Sequence, residues 1–179
     1  DISLYGTGAS SSASAIGIQI IGSDSSATIA AQTGNITLTG TGGTSSNSGA
    51  EGIKLGEEGL VNTYLSSSGA IRLRGSGGNS AYSATGIDLS NITITATNGG
   101  ILELTGTGGT ANADAGFKGI YLRGGTTLTS DSGTIALTGT GGSGSGSFNE
   151  GILVGDLGGA ATILSSTGMI TLTGTGQAT

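Results

Sequence analysis

Glycine-rich runs of the form L-T-G-T-G recur along the chain, and a loop with these residue types and this spacing could bind a phosphate. One copy, Gly139-x-Gly141-x-x-Gly144, matches the dinucleotide-binding pattern G-x-G-x-x-G. Such a loop holds an anion only where a strand gives way to a helix, because the amides at the helix N-terminus face the phosphate. No helical periodicity follows any copy, and no Walker lysine is present. The sequence therefore predicts turns or tight strand exits at these glycines rather than a nucleotide site.

Carboxylates are the second group that could do chemistry, as ligands of calcium. A calcium-binding repeat array needs G-G-x-G-x-D in tandem. Several aspartates are instead scattered along the chain, namely Asp114, Asp131 and Asp156. Glu51, Glu57 and Glu58 form the densest acidic cluster, which predicts a solvated loop because carboxylates are ordinarily surface residues. We expect no metal site and no cofactor, with incidental calcium in the loops left as an open alternative.

Arg72, Arg74 and Glu103 are candidates for catalysis on a polysaccharide. In a stack of parallel strands, which the repeats described below predict, Arg72 lies beside Glu103 and Lys54 lies beside Asp88. Such pairs help to fix the register, at about 0.2–1 kcal/mol each. Acid–base catalysis needs groups that converge within hydrogen-bond reach, and one glutamate beside two arginines does not supply them. We predict register pairs and no catalytic residues; a carbohydrate-binding or carbohydrate-active β-helix protein remains the alternative.

Aromatic residues in the variable loops could stack on sugars. The candidates for surface contact are Tyr82, Phe117 and Phe148. Exposed aromatic side chains on loops are better candidates for binding than those on strands. Three residues in three different repeats predict a weak patch, and host or environmental glycans are the partners it would suit.

Threonines recur at two positions of the repeat and could form flat arrays of hydroxyls, which on other β-solenoids bind ice. One column stands six residues before a glycine: Thr28, Thr63, Thr93, Thr127 and Thr162. A second near-column is Thr7, Thr41, Ser76, Thr107, Thr140 and Thr175. Because threonine is favoured in strands in general, we prefer a structural role, and an ice-binding solenoid stays a less favoured alternative.

The composition excludes several functional classes. The 179 residues carry a net charge of −6 with only five basic residues and a pI near 4.2, which argues against nucleic acid, since phosphates attract lysine and arginine. Cysteine is absent, so no disulfide framework or thiolate zinc site is expected. No apolar run approaches the roughly 20 residues of a membrane span.

A repeat of 31–35 residues positions all of these side chains. Each unit has three short segments with alternating apolar residues between glycines and serines, which predicts three strands. The first has the form I-x-L-x-G-x-G and begins at Ile2, Ile36, Ile71, Leu102, Ile135 and Ile170. The second has the form G-I-x-L, and its apolar pairs begin at Ile18, Ile53, Ile87, Ile120 and Ile152. We predict one all-β domain over residues 1–179, a parallel β-helix of about five three-stranded coils with apolar columns inside.

The third segment ends in a glycine, and the alignment predicts its inward column. The closing glycines are Gly34, Gly69, Gly99, Gly133 and Gly168. The apolar or aromatic residues five positions earlier are Ile29, Tyr64, Ile94, Leu128 and Ile163. Small residues follow two positions on, at Ala31, Ser66, Ala96, Ser130 and Ser165. The extra residue in Gly99-Gly100-Ile101 predicts a bulge. The alternative to one coil per repeat is two coils of about 17 residues each.

The combination GNITLTGTGG, GIxL and TIxSSxG resembles the repeat stalks of filamentous-haemagglutinin-like large exoproteins of Gram-negative bacteria, over the whole chain. The resemblance implies a right-handed β-helix exported by two-partner secretion to the cell surface, often for adhesion. It carries over no functional residue, because the family's secretion domain with its Asn-Pro motifs has no counterpart here. We expect a non-catalytic stalk or filament segment, part of a longer secreted or outer-membrane-displayed chain, whose ends pair with neighbouring coils or with other copies.

Overall fold

The computed structural model describes residues 1–47, 49–110, 116–145, 148–155 and 159–177, and every strand pair within them is parallel. No helix occurs among these residues. The strands form three long sheets, which wind around one axis as a β-solenoid. The predicted fold class is confirmed.

Sheet 1 contains the I-x-L-x-G-x segments. Its strands, in spatial order, are Ile2–Thr7, Ile36–Thr41, Ile71–Ser76, Leu102–Thr107, Ile135–Thr140 and Ile170–Thr175. Each of these strands begins one coil, and we number the coils from 1 to 5 in this order, with Ile170–Thr175 opening a sixth. Every position pairs with its equivalent in the next coil, as Leu38 does with Leu73.

Sheets 2 and 3 hold five strands each. The strands of sheet 2 are Ile18–Ile20, Ile53–Leu55, Ile87–Ser90, Ile120–Arg123 and Ile152–Val154. Those of sheet 3 are Thr28–Ala31, Thr63–Ser67, Ile92–Ala96, Thr127–Ser130 and Thr162–Ser165. Spatial neighbours are consecutive repeats in all three sheets, so one repeat makes one coil and the rival count of two is excluded.

The inward columns of isoleucine and leucine form one core through the stack. Leu38, Leu73 and Leu104 have no exposed surface, because a like residue lies above and below each at about 4.8 Å. The same column ends in exposed residues, with Leu4 38% and Leu172 46% exposed. The two ends of the solenoid therefore present cross-sections of the core.

The step between sheets 1 and 2 is more ordered than the predicted variable loop. The strands Thr44–Ser45 and Asn79–Ser80 pair in parallel, and bridges extend this ladder to coils 1, 4 and 5 at Ser11, Thr110 and Ser143. Beneath it lies a second small core of Ala15, Ala50, Ala84 and Phe117. The first residues of this loop therefore form a short fourth face that stacks from coil to coil. The loop varies between repeats only after that face.

The predicted register of sheet 3 is wrong in coil 2. The partner of Ile94 is Leu65, so Leu65 fills the core while Tyr64 points outward and is 38% exposed. The predicted small residue Ser66 is likewise replaced in its column by Ser67. The slip leaves the hydrophobic leucine inside and the hydroxyl of the tyrosine at the surface, which is the better arrangement of these two side chains.

The extra residue of coil 3 is accommodated in a turn rather than in a bulge. Asn98 and Gly99 both adopt left-handed backbone conformations, with φ of 54° and 79°. Gly100, not Gly99, then stacks beside Gly69 and Gly133. The insertion is thereby removed from the ladder before sheet 1 resumes at Leu102.

Candidate functional surfaces

The glycine runs are strand ends whose amides already have partners. The amide of Gly42 donates to Ser76 O at 2.8 Å, and that of Gly43 donates to Ala15 O at 2.7 Å. In the copy that matches the dinucleotide pattern, Gly139 lies within a strand and the amide of Gly141 donates to Thr175 O at 2.8 Å. A phosphate needs free amides at a helix N-terminus, and these amides are committed to bonds between coils.

Steric contact explains why the runs need glycine. A Cβ atom on Gly40 would lie 2.1 Å from Gly52 O, and the equivalent contact recurs in the next coil between Gly75 and Gly86. Sheet 1 therefore ends in direct backbone contact with the start of sheet 2. The repeated L-T-G-T-G sequence is a packing requirement of this corner.

The charge pair predicted on sheet 1 forms as expected. Arg72 and Glu103 occupy neighbouring ladder positions, and Arg72 Nε lies 2.9 Å from Glu103 Oε2. Each side chain is about one-third exposed. Glu103 lies beside an arginine, which stays charged, so the two side chains can help to fix the register of their strands.

On sheet 2 the predicted adjacency of Lys54 and Asp88 is confirmed, but the ion pairs form elsewhere. Lys54 Nζ lies 2.9 Å from Glu57 Oε2 in the loop that follows its own strand. Asp88 instead receives two hydrogen bonds from Arg123 one coil further on, from Nε at 3.2 Å and Nη2 at 3.1 Å. The planar guanidinium fits the carboxylate in two places, which a lysine cannot do.

Arg123 is the centre of this sheet 2 network. Burial disfavours its charged form, but the hydrogen bonds and charge of Asp88 and the charge of Glu58 outweigh burial and raise the pKa of Arg123 above its usual value. Its guanidinium also lies 5.0 Å from the ring centre of Tyr121. The group is fixed between coils and is not poised to transfer a proton.

Glu51 is a buried carboxylate on the same side of the solenoid. It is 8% exposed, and Ser83 Oγ approaches its Oε1 at 3.5 Å. Burial raises the pKa of Glu51, and the nearby charge of Asp88 adds to the effect, while its own backbone amide and Lys54 oppose it. The prediction of a solvated cluster of Glu51, Glu57 and Glu58 is wrong for Glu51, whose carboxylate lies beside Gly49 of its own loop and Ser83 of the next coil.

The aromatic residues proposed for surface contact do not form one patch. Phe117 is fully buried in the second core, so the prediction that it contacts a ligand is wrong. Its position two residues before the glycine of sheet 2 places it in the column of Ala15, Ala50 and Ala84, a periodicity that the sequence already contained. Tyr82 and Phe148 are 62% and 59% exposed, in coils 3 and 5.

Phe148 belongs to a small group of cationic and aromatic side chains. Lys118 Nζ lies 5.9 Å from the ring centre of Phe148 and 5.1 Å from that of Tyr121. The same ammonium is 3.8 Å from Glu150 Oε2. An exposed aromatic ring with charged neighbours could contact a sugar, but each of these charges already has a partner.

The threonine columns differ between the two sheets. The sheet 1 column from Thr7 to Thr175 is in register throughout. The sheet 3 column is interrupted, because Tyr64 takes the predicted place of Thr63 and the Thr63 side chain lies in the core. Of these two columns, only the one on sheet 1 forms a continuous array of hydroxyls among the described residues.

The corner between sheets 3 and 1 contains polar clasps that sequence reasoning missed. Ser130 Oγ donates to Gly100 O at 3.1 Å and accepts from the amide of Gly133 at 2.9 Å. Ser165 makes the same pair of contacts with Gly133 and Gly168, at 3.2 and 2.9 Å. The spacing S-x-x-G was the available signal, since serine readily bonds to nearby backbone groups.

Asp131 makes a further clasp across coils. Its carboxylate accepts hydrogen bonds from the amides of Asn98 at 2.6 Å, Gly99 at 2.9 Å and Ser132 at 2.7 Å. The bond from Gly99, with those from Asn98 and Ser132, lowers the pKa of Asp131 although the group is exposed. The carboxylate is thus engaged by backbone, not presented to a cation.

Among the described residues, no group of three or more acidic, histidine or cysteine side chains could hold a metal ion. Asp114 and Asp156, two of the scattered aspartates, lie outside the described residues. A shallow depression on sheet 3 has neither charged nor aromatic lining; it is formed by Ala30, Ala31, Gln32, Ser66, Ser67, Ser68 and Thr97.

Comparison with known proteins adds no relative: no family model, curated protein or solved structure matches the chain. Within the described part of the chain, no helix is long and apolar enough to cross a membrane.

Proposed function

We propose that the chain is a structural rod, a non-catalytic stalk or filament segment of a secreted or surface-displayed bacterial adhesin. One observation carries the proposal, namely the unbroken, in-register stack of sheet 1 from Ile2–Thr7 to Ile170–Thr175. The sequence resemblance to filamentous-haemagglutinin-like exoproteins supports the cellular setting.

The contacts that the polar side chains make favour a structural function over catalysis. The charged network of sheet 2, the serine clasps and the Asp131 clasp all join one coil to the next. A catalytic site would instead need titratable groups directed together at an open space. The side chains of this network and of these clasps are occupied in holding the stack.

The repeated interface suits a spacer. In a solenoid each coil contacts only its neighbours, so added coils lengthen the rod without altering those already present. Five steps of about 4.8 Å give a segment of about 24 Å between the first and last strands of sheet 1. The number of repeats then determines the length of the rod.

The exposed core at both ends favours further coils as partners. Ile170 and Leu172, which continue the core columns at one end, are 40% and 46% exposed. A covalently continuous coil would extend sheets 2 and 3 beyond Ile152–Val154 and Thr162–Ser165. A second copy placed on Ile170–Thr175 would extend sheet 1 in the same way. Neighbouring coils and other copies placed end to end are therefore both candidate partners.

Deletion of one coil tests the proposal. Removing residues 71–101 from the full-length protein on the bacterial surface joins Ala70 to Leu102, which preserves the order of the three strands. We expect surface display, detected by antibody on intact cells, and adhesion to be retained, while the rod shortens by about 4.8 Å. A displayed, folded deletion variant that has lost adhesion would show that coil 3 carries a binding site and would contradict the proposal.

A register-breaking deletion is the matched control. Removing residues 71–86 deletes the sheet 1 strand of coil 3 and leaves its sheet 2 strand without the preceding element. We expect this shorter deletion to abolish folding and display, because the coils beyond it can no longer align. Equal tolerance of the two deletions would mean that the stack does not hold the molecule together.

Glycan contact through the loops is a second candidate, favoured by the exposure of Tyr82 and Phe148. Aromatic rings at exposed loop positions are common sites of binding energy. Replacing both with serine should abolish glycan binding by the whole protein if these rings carry it, and should leave the rod intact. Unchanged binding to an immobilised glycan panel would remove this candidate.

A further inference from the structure

The turn at Asn98 and Gly99 combines a reactive sequence with an unusual environment. Asn98 is the one asparagine in the chain that a glycine follows. Glycine has no side chain to shield its backbone nitrogen, so it leaves the path to the preceding asparagine side chain open. Both residues are exposed to water, which is the second reactant that hydrolysis of an amide requires.

The structure restrains this reactive nitrogen from the next coil. The amide of Gly99 donates to Asp131 Oδ1 at 2.9 Å, and the amide of Asn98 donates to Asp131 Oδ2 at 2.6 Å. The amide of Gly100 donates to Thr97 O at 2.9 Å and closes the turn. One carboxylate from coil 4 therefore fixes the backbone of the insertion in coil 3.

We propose that Asn98 is a site of spontaneous deamidation and that Asp131 sets its rate. The Gly99 nitrogen gives its proton to hydroxide and attacks Asn98 Cγ, forming a five-membered succinimide. The bond from Cγ to Nδ2 breaks while Nδ2 takes a proton from water, so that ammonia leaves and hydroxide is regenerated. Water then opens the ring, giving aspartate by breaking the new bond at Cγ, or isoaspartate by breaking the bond at the backbone carbonyl carbon.

Asp131 slows the first step in two ways. The hydrogen bond from the Gly99 amide must break before this nitrogen can turn toward Cγ. The negative carboxylate also disfavours loss of the amide proton beside it, since like charges repel at short distance. The product places a new carboxylate in the turn that Asp131 clasps, and isoaspartate adds a methylene to the backbone, so modification should loosen the junction of coils 3 and 4.

The test is incubation of the folded protein in mildly alkaline buffer, followed by peptide mapping for deamidated and isoaspartyl forms. We expect modification at Asn98 before any other asparagine. Asp131→Ala should speed it by about tenfold, the effect of losing a hydrogen bond to a charged group. Asp24→Ala, which removes an exposed carboxylate from another loop, is the matched control and should leave the rate unchanged.

Asn79, which precedes Ser80 in the stacked ladder, reports on general loosening. Acceleration at Asn98 alone supports the proposal. Equal acceleration at Asn79 and Asn98 in Asp131→Ala would show global unfolding and overturn the local role of Asp131. An unmodified Asn98 in both folded proteins, under conditions that deamidate the urea-unfolded chain, would overturn the site itself.

Discussion

Thr63 gives the sharpest test of the sheet 3 register. It lies in an inward column whose next member is Ile92, and it has no exposed surface. Its Oγ1 is buried and has no hydrogen-bond partner among the residues that the structure describes. Replacing it with valine keeps the branched shape and removes the unpaired hydroxyl, so Thr63→Val should stabilise the protein.

The magnitude follows from the cost of the unpaired hydroxyl. A buried hydroxyl without a bond costs roughly 1–3 kcal/mol, whereas an apolar group of the same shape costs nothing comparable. We expect Thr63→Val to raise the free energy of unfolding by about 1–2 kcal/mol. The methyl that replaces the hydroxyl lies beside the ladder partner Ile92, and the side chain keeps its branched shape.

Thr126 is the matched control, two coils along the same column. It is equally buried, but its Oγ1 lies 2.9 Å from Leu89 O and 2.6 Å from Arg123 O. The single hydroxyl proton can donate to one of these two carbonyl oxygens at a time. Thr126→Val removes that hydrogen bond and should lower the free energy of unfolding by about 1 kcal/mol. Urea unfolding followed by the β-sheet circular dichroism compares the two variants with the parent.

Opposite signs for the same substitution support the register. If Thr63→Val destabilises the protein as much as Thr126→Val does, the Thr63 hydroxyl has a partner. That result would favour the predicted alignment, in which Thr63 belongs to the outward threonine column.

Four further substitutions test other features. The lowered pKa of Asp131 means that its contribution to stability is present above the unfolded carboxyl pKa of about 3.9 and is lost as the pH falls through the folded pKa. Asp131→Ala should therefore lower the melting temperature near neutral pH and have little effect near about pH 2. Glu51 has the opposite sign: its raised pKa means that stability present below an unfolded pKa of about 4.3 is lost as the pH rises through the folded value. Glu51→Gln should raise the melting temperature near neutral pH and not near about pH 3, and a pH series of melting curves checks both variants. Gly40→Ala forces a Cβ into Gly52 O and should cost about 3 kcal/mol or more, seen as loss of soluble, folded protein. Arg72→Ala breaks a pair whose side chains are about one-third exposed and should change the unfolding free energy by less than about 1 kcal/mol. A large loss would contradict the role of this pair.

Sheets 1 and 2 could be predicted from the sequence because their inward residues are uniform. An isoleucine or leucine stands at almost every core position, bounded by glycines that backbone contact requires, as at Gly40 and Gly75. Any one-residue slip would bury polar side chains in a whole strand. The pattern therefore fixes the register without tertiary information.

The inward column of sheet 3 was predicted correctly in four of its five coils, and the prediction failed in coil 2 because the residues of that strand are nearly interchangeable. In Thr63-Tyr64-Leu65-Ser66 each residue suits a strand, and two registers place an apolar group inside. The choice depends on what the neighbouring coils supply, here Ile29 and Ile94 beside Leu65. That information is long-range, and only the assembled stack contains it.

The polar side chains were the hardest to place, for a related reason. Arg123 was not assigned to Asp88 because the reach of a long side chain between coils is not visible in a sequence pattern. The loop position of Phe117 predicts a surface side chain, but the residue stands in a column of alanines that points inward. The number of residues between a side chain and the nearest glycine that recurs in each repeat predicts its orientation better than its location in a loop does.

The most direct test of the central claim, one coil per repeat in the register of sheet 1, is a spin–spin distance. The chain has no cysteine, so Tyr5→Cys with Thr173→Cys provides two unique labelling sites on exposed residues of one outward column. Pulsed electron resonance should give a narrow distribution near the five-step separation of about 24 Å, broadened by the label linkers. A distance near about 48 Å, as two coils per repeat would give, or a broad distribution typical of a disordered chain, would contradict the account.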